Sequence, residues 1–331
     1  MSTSFWSLIF CIGLAAGLPV SRSAEPESVQ LAQAIPLPGV TGRFDHFACD
    51  VAAQRLVVAA LGNDTAEVID IAAFKRLAPI TGLHQPTGVL LLADLKRVYV
   101  AGGGDGTVRA FATASHEPVA QLDGIEDADN ARFDPAAGLI YVGFGDGALG
   151  VIDPGANRLL HRIPLAAHPE AFQLETQGPR VFVNVPGARQ IAVVDRIRRN
   201  VVAQWPMEQW RANFPMALDE SGHRLFVGCR NPARLVVFDT EKGAAVADLE
   251  ISGDTDDIFF DARRQRLYVS CGEGYLDVIQ CHETGRYERI ARLPTRGGAR
   301  TCFFSVELDL LFLAVPARNG RDAEMRVYQP R

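Results

Sequence analysis

Short apolar runs alternate with turn-forming residues along almost the whole chain, and the runs return at a fixed interval. Asn130 to Leu165 shows one full unit: ARFDP, LIYVGF, LGVID and RLLHRIPL, separated by AAG, GDG and PGAN. Glycine supplies the positive φ of tight turns, and Pro or Asn supplies the bend, so the pattern predicts four strands with short connections. The second strand is apolar on both faces, as a strand covered from both sides must be. One such sheet cannot bury both faces alone and needs copies of itself on either side.

The copies are present. Runs equivalent to LIYV at Leu139 begin at Arg55 (RLVV), Arg97 (RVYV), Arg180 (RVFV), Arg224 (RLFV), Arg266 (RLYV) and Leu310 (LLFL), with successive starts 41 to 44 residues apart. The third strand also recurs seven times, from AEVIDI at Ala66 to MRVYQP at Met325. The fourth recurs six times; the seventh unit reaches Arg331 without one. A matching segment stands at the other end, where Ser28 to Gly39 (SVQLAQAIPLPG) repeats the pattern of RLLHRIPL. The predicted fold is therefore all-β: a seven-bladed β-propeller of four-stranded antiparallel blades, closed by the N-terminal strand completing the last blade. A closed ring leaves only short, protected strand edges.

The first residues read differently. Phe5 to Leu18 is a continuous apolar run, short for a membrane span and followed by small residues, which predicts a signal peptide over 1–24 with cleavage after Ser23 or Ala24. The expected mature protein is one propeller domain, 25–331, in the periplasm or secreted, with no stable membrane insertion; an uncleaved anchor is the alternative. Net charge is −6, or −7 without the leader, with basic residues scattered among the acids. That surface gives no footprint for nucleic acid.

The pairs Tyr99-Val100 before TVRAF and Tyr141-Val142 before LGVID, with the leading segments HQPTGVLLL (84–92) and AHPEAFQLE (167–175), resemble the bacterial exported YVTN-repeat β-propellers. The resemblance covers essentially the whole expected mature chain. It implies an exported seven-bladed propeller and carries no reaction with it, because one fold hosts many chemistries. A recurring Gly-His and Trp-Asp signature, as in WD40 repeats proper, is absent from the sequence.

Chemistry is then sought where a propeller gathers its loops, at the mouth of the central channel. Nine and ten residues before each second strand stand Asp45-His46, Thr87-Gly88, Asp129-Asn130, Glu170-Ala171, Phe214-Pro215, Asp256-Asp257 and Arg300-Thr301. Their common phase predicts one shared mouth, with His84, Glu126, Asp127, Asp254, Arg43, Arg211 and Arg296 nearby. The candidate ligand-binding residues are Asp45, His46, Asp129, Asn130, His168, Glu170, Asn213, Asp256, Asp257 and Arg300. Asp and Asn before a strand also cap their own turns, and that role competes with binding at each position. Convergent carboxylates repel and draw in a cation or a basic group. No cofactor is required by this pattern. A divalent metal ion is the cofactor it admits, with His46, His84, His168, Asp129 and Glu170 as the nitrogen and oxygen donors.

Other features point to structure. GGGDG (102–106) and GFGDG (143–147) join strands within a blade and lack the following helix that a phosphate cradle needs. Ser115-His116-Glu117 falls in an outer turn. Cys49, Cys229, Cys271, Cys281 and Cys302 form no CxxC or CxxCH motif, which removes c-type haem and dithiol redox chemistry from view. Cys229 with Cys271, or Cys49 with Cys302, lie in blades close enough to consider bridging; buried free thiols are the favoured expectation. With no nucleophile and base to pair, the sequence leaves catalysis open. It favours a non-catalytic propeller binding a small polar ligand or a protein partner. The alternative is a metal-dependent hydrolase or lyase of lactonase-like propeller type using Asp, Glu, Asn and His at the mouth.

Overall fold

Seven sheets of four antiparallel strands stand side by side in a ring. The computed structural model describes residues 28–331, so the expected leader lies outside the described residues. In chain order the blades are blade 1 (47–76), blade 2 (86–123), blade 3 (131–164), blade 4 (172–206), blade 5 (211–250), blade 6 (255–294) and blade 7 (302–330 with 29–37). Each inner strand lies against the inner strand of the next blade, and that of blade 7 returns to that of blade 1.

Burial follows the pattern read from the chain. After its half-buried first residue, each of the seven second strands carries a fully buried run, because it lies in mid-sheet with a blade on either face. Fourth strands are thinly covered: Tyr287–Pro294 alternates half-buried and exposed residues along its length. The core consists of apolar clusters lying mainly between neighbouring blades. Their starting arginines are also used. Arg97 and Arg180 reach the backbone oxygens of Pro154 and Thr240 in the following blade at 2.9 and 2.6 Å, while Arg55 pairs with Asp70 of its own blade at 2.8 Å.

The seam between the two ends of the chain is as predicted. Val29–Leu37 pairs antiparallel with Ala323–Pro330 as the outermost strand of blade 7. It also carries the mark of a fourth strand. In blades 2 to 6 that strand bulges by one residue opposite the same point of the third strand, leaving Val119, Leu160, Val202, Val246 and Ile290 as the extra residues. The N-terminal strand bulges at Ala32, opposite Val327 and Tyr328, the equivalent point of blade 7. A one-residue bulge exchanges the faces of a strand. Val29 thus packs with Tyr268 and Leu276 of blade 6, whereas Ile35 and Leu37 pack with Leu56 and Ile69 of blade 1.

All five cysteines among the described residues are free thiols, with Cys49 part-buried and the rest buried, so neither pairing considered from the sequence forms. No helix of the described residues is long and apolar enough to cross a membrane.

Candidate functional site at the channel mouth

The mouth is built by backbone hydrogen bonds repeated from blade to blade. The fifth residue of the second strand receives the pair that precedes the inner strand: Asp45 N donates to Ala59 O and Ala59 N to His46 O. Asp129 and Asn130 bracket Gly143 in the same way, and Glu170 and Ala171 bracket Asn184. Thr87 ties three blades together. Its carbonyl accepts from His46 N at 3.2 Å, and its hydroxyl donates to Ala128 O at 2.6 Å. Beside it, a Cβ on Gly88 would stand 2.2 Å from Asp129 O, so only glycine lets blade 2 approach this closely. His46 and Asp129, from blades 1 and 3, are thereby brought together across blade 2.

Their side chains meet. His46 Nε2 lies 3.4 Å from Asp45 Oδ1, 3.7 Å from Asp129 Oδ1 and 2.7 Å from Asn130 Nδ2, and Nδ1 lies 3.9 Å from Asp257 Oδ1. One ligand atom from each of Asp45, His46 and Asp129 falls within 4.8 Å of the others. Above them opens a cavity of about 250 Å³, whose lining also includes Asp127, His168, Glu170 and Asp256. Two arginines offset part of the acid: Arg43 on Asp45 at 3.2 Å, and Arg230, which pairs with Asp256 and stacks over the Phe214 ring at 4.0 Å. His168 Nδ1 is 2.7 Å from Gly145 O and 3.4 Å from Asp127 Oδ2.

Burial and crowding of like charge set the protonation of the mouth. Burial raises Asp45 to about 6, with His46 opposing and Asp129 and Asp256 adding to the rise. Burial also raises Glu170 to about 8, reinforced by Asp129, Asp256 and Asp45. Asp257 rises to about 7 by burial, against the pull of His46. For His46 burial disfavours the charge, yet the surrounding Asp45, Asp129 and Asp257 carry it to about 10. Asp129 is held below the usual carboxylate range; burial opposes this, and the neighbouring His46 outweighs it. The acids of the mouth thus share protons and one imidazolium.

Seven of the candidates read from the sequence line the cavity: Asp45, His46, Asp129, Asn130, His168, Glu170 and Asp256. Asp257 lies one layer deeper, where its carboxylate also accepts from Cys302 N at 2.9 Å. Asn213 is placed elsewhere. It is fully buried between blades 4 and 5, donating to Asn184 Oδ1 at 2.9 Å and Gln190 O at 3.2 Å. Arg300 pairs with Asp254 at 2.8 Å outside the cavity lining. His84 and Glu126 are exposed and outside the lining, and Arg296 is tied to the carbonyls of Pro316 and Asp322. Arg230 was not singled out from sequence. Its signal is position: six residues past the start of a second strand, it comes off the mouth end of that strand.

Below His46 the channel continues as a second cavity of about 420 Å³ with a largely apolar wall that includes Phe47, Leu90, Met216, Phe259 and Phe303. Arg132 and Gln173 are among the few polar groups there, and burial lowers the Arg132 pKa. His46 faces both cavities and separates an acidic mouth from an apolar shaft.

Fold and site together define a seven-bladed β-propeller with an acidic, partly enclosed mouth. The chain is similar in structure to a chain of Kuenenia stuttgartiensis hydrazine synthase, with TM-score 0.74 over 86% of this chain and 99% of that one, at 14% sequence identity. At that identity the likeness is one of fold. No family model matches the chain, and no curated protein sequence matches it.

Proposed function

We propose that this protein is an exported propeller of YVTN-repeat type that binds a small, polar, positively charged ligand at its channel mouth without transforming it. The observation that carries the reading is the excess of acid around the 250 Å³ cavity: Asp45, Asp127, Asp129, Glu170 and Asp256 against Arg43, Arg230 and the His46 imidazolium. Carboxylates forced together share protons until a cation relieves the repulsion, so the mouth selects for positive charge. A cavity this narrow suits a small molecule better than a protein surface. Binding is tested by thermal shift with a panel of amines and guanidines set against carboxylates and phosphates. Asp129→Ala with His168→Ala should abolish the cation response, and circular dichroism establishes that the double variant, which loses the Asp129–His46 pair, still folds. Preference for anions, or a double variant that binds as the parent does, refutes the reading.

The export component has its own test: protein recovered from the periplasm or medium should begin at residue 24 or 25, and an intact Met1 on a membrane-bound product would favour an anchor. A second reading, the metal-dependent hydrolase or lyase, draws on the close approach of Asp45, His46 and Asp129. It requires turnover of a lactone or ester by metal-supplemented protein, lost in Asp129→Ala.

A further inference from the structure

We infer that Asp45, His46 and Asp129 form a centre for a divalent first-row transition-metal ion, with the amide oxygen of Asn130 as a fourth donor. The inference deepens the reading that the mouth takes a cation, and rests on it.

Spacing is the first ground. An ion bound at about 2.0–2.2 Å to tetrahedrally placed nitrogen and oxygen donors holds those donors roughly 3.3–3.6 Å apart. His46 Nε2 stands 3.4 Å from Asp45 Oδ1 and 3.7 Å from Asp129 Oδ1, and one ligand atom of each residue lies within 4.8 Å of the others, so side-chain adjustment brings all three to one ion. The second ground is independent of the acids. Asn130 is 2% exposed, lines the mouth, and its Oδ1 has no hydrogen-bond partner. A buried carbonyl without a donor is costly and is satisfied by a proton donor or by a cation. As placed, Nδ2 faces His46 Nε2 at 2.7 Å; the amide's two ends are alike in shape, and a half-turn brings the oxygen there instead, where it accepts from the protonated Nε2 and, once that proton is displaced, joins the donors of an ion.

The donor set narrows the ion. One imidazole nitrogen with carboxylate and amide oxygens suits Mn, Fe, Co, Ni or Zn as divalent ions. Calcium and magnesium prefer oxygen alone, and Cu(I) prefers thiolates. The surroundings are those of a supported centre. Asp257 lies 3.9 Å behind His46 Nδ1, Arg43 holds Asp45, and the Thr87 carbonyl and hydroxyl fix the blades that carry His46 and Asp129. Carboxylates behind a ligating histidine orient the ring in this way. The cavity lined by His168 and Glu170 leaves room for an exogenous donor on the solvent side.

The test uses tag-free protein from 25–331, stripped with EDTA and titrated calorimetrically with Zn²⁺ and Mn²⁺, with Ca²⁺ as comparison. One equivalent should bind, with Ca²⁺ at least tenfold weaker, and Zn²⁺ should raise the melting temperature. Asp129→Asn and His46→Gln should each weaken binding at least tenfold, and together abolish it. Circular dichroism of the stripped variants establishes that they fold; if one does not, the other and the parent decide. Absence of saturable one-to-one uptake by the parent, or variants that bind as it does, overturns the centre. The two readings fail separately. A parent that takes up amines but no Zn²⁺ removes the metal centre alone, while uptake of Zn²⁺ with no response to any organic cation removes the organic ligand alone.

Discussion

Replacing Ile35 and Leu37 together by alanine should loosen the ring at its seam. Both side chains are essentially fully buried on the N-terminal strand, packed with Leu56 and Ile69 of blade 1 and with Phe312, Met325 and Val327 of blade 7. Truncating a buried Ile or Leu to Ala costs about 2–5 kcal/mol, the spread reflecting how far the site collapses into the space. Ile35 and Leu37 share one face and one cavity, so their effects couple, and about 4–8 kcal/mol is the expected total. Against a net stability of about 5–15 kcal/mol this removes a large share. At roughly 2 °C per kcal/mol the melting temperature falls by about 8–16 °C. Leu31→Ala on the same strand is the internal control. It is 48% exposed and should stay within about 0.5 kcal/mol of the parent. Denaturant titration gives the free energies, and size-exclusion chromatography shows whether the bared edge of Ala323–Pro330 then recruits a second molecule. A double variant that melts with the parent would refute the seam, because a strand that can lose both buried contacts at no cost is not closing the ring.

Two further outcomes are expected. Folding takes up protons at the mouth: Asp45, Asp257 and Glu170 hold theirs to about 6, 7 and 8, while unfolded carboxyls release near 4, and His46 extends the window from 6.5 to about 10. All four are raised, so their stabilisation is complete at low pH and is lost as pH climbs through this range. The melting temperature in EDTA should therefore fall from pH 5.5 to pH 9, with a shallower slope in Glu170→Gln; a rise over that interval contradicts the protonation scheme. Asn213→Ala should cost about 1–3 kcal/mol by stranding Asn184 Oδ1 and the Gln190 carbonyl, and should leave cation binding intact. Unchanged stability with lost binding would return Asn213 to the mouth.

Blade period and mouth phase were legible in the sequence because both are repeated. Seven runs such as RVYV and RLFV locate the second strands, and hydrogen bonding of Ala59, Gly143 and Asn184 to the preceding pairs makes a fixed count reach the same mouth in blades 1, 3 and 4. Asn213 stands one residue before the counted pair, and its equivalents Phe44, Ala128, Thr255 and Ala299 are likewise buried, so this position of the repeat turns its side chain into the space between blades. Arg230 escaped because its strand announces itself by apolar residues, and an arginine after them reads as a hairpin edge. Pairing across blades, such as Arg300 with Asp254 or Arg230 with Asp256, depends on rotamers that no spacing encodes.

The shared seventh blade also fixes an order of events in time. Gln30 and Arg331 touch across 301 positions of chain, and the outer strand made first has its partner made among the last. At ribosomal speeds of about 5–20 residues per second, the N-terminal strand waits on the order of 15 to 60 s for that partner. Joining ends so far apart in sequence also carries a loop-closure cost that the local hairpins of blades 1 to 6 avoid. The ring is thus an open arc through most of its synthesis. Hydrogen exchange during refolding should find Ala323–Pro330 among the last strands to gain protection, and the mouth, whose blade 6 group Asp256 meets the blade 1 groups only on closure, should acquire its affinity at that same moment.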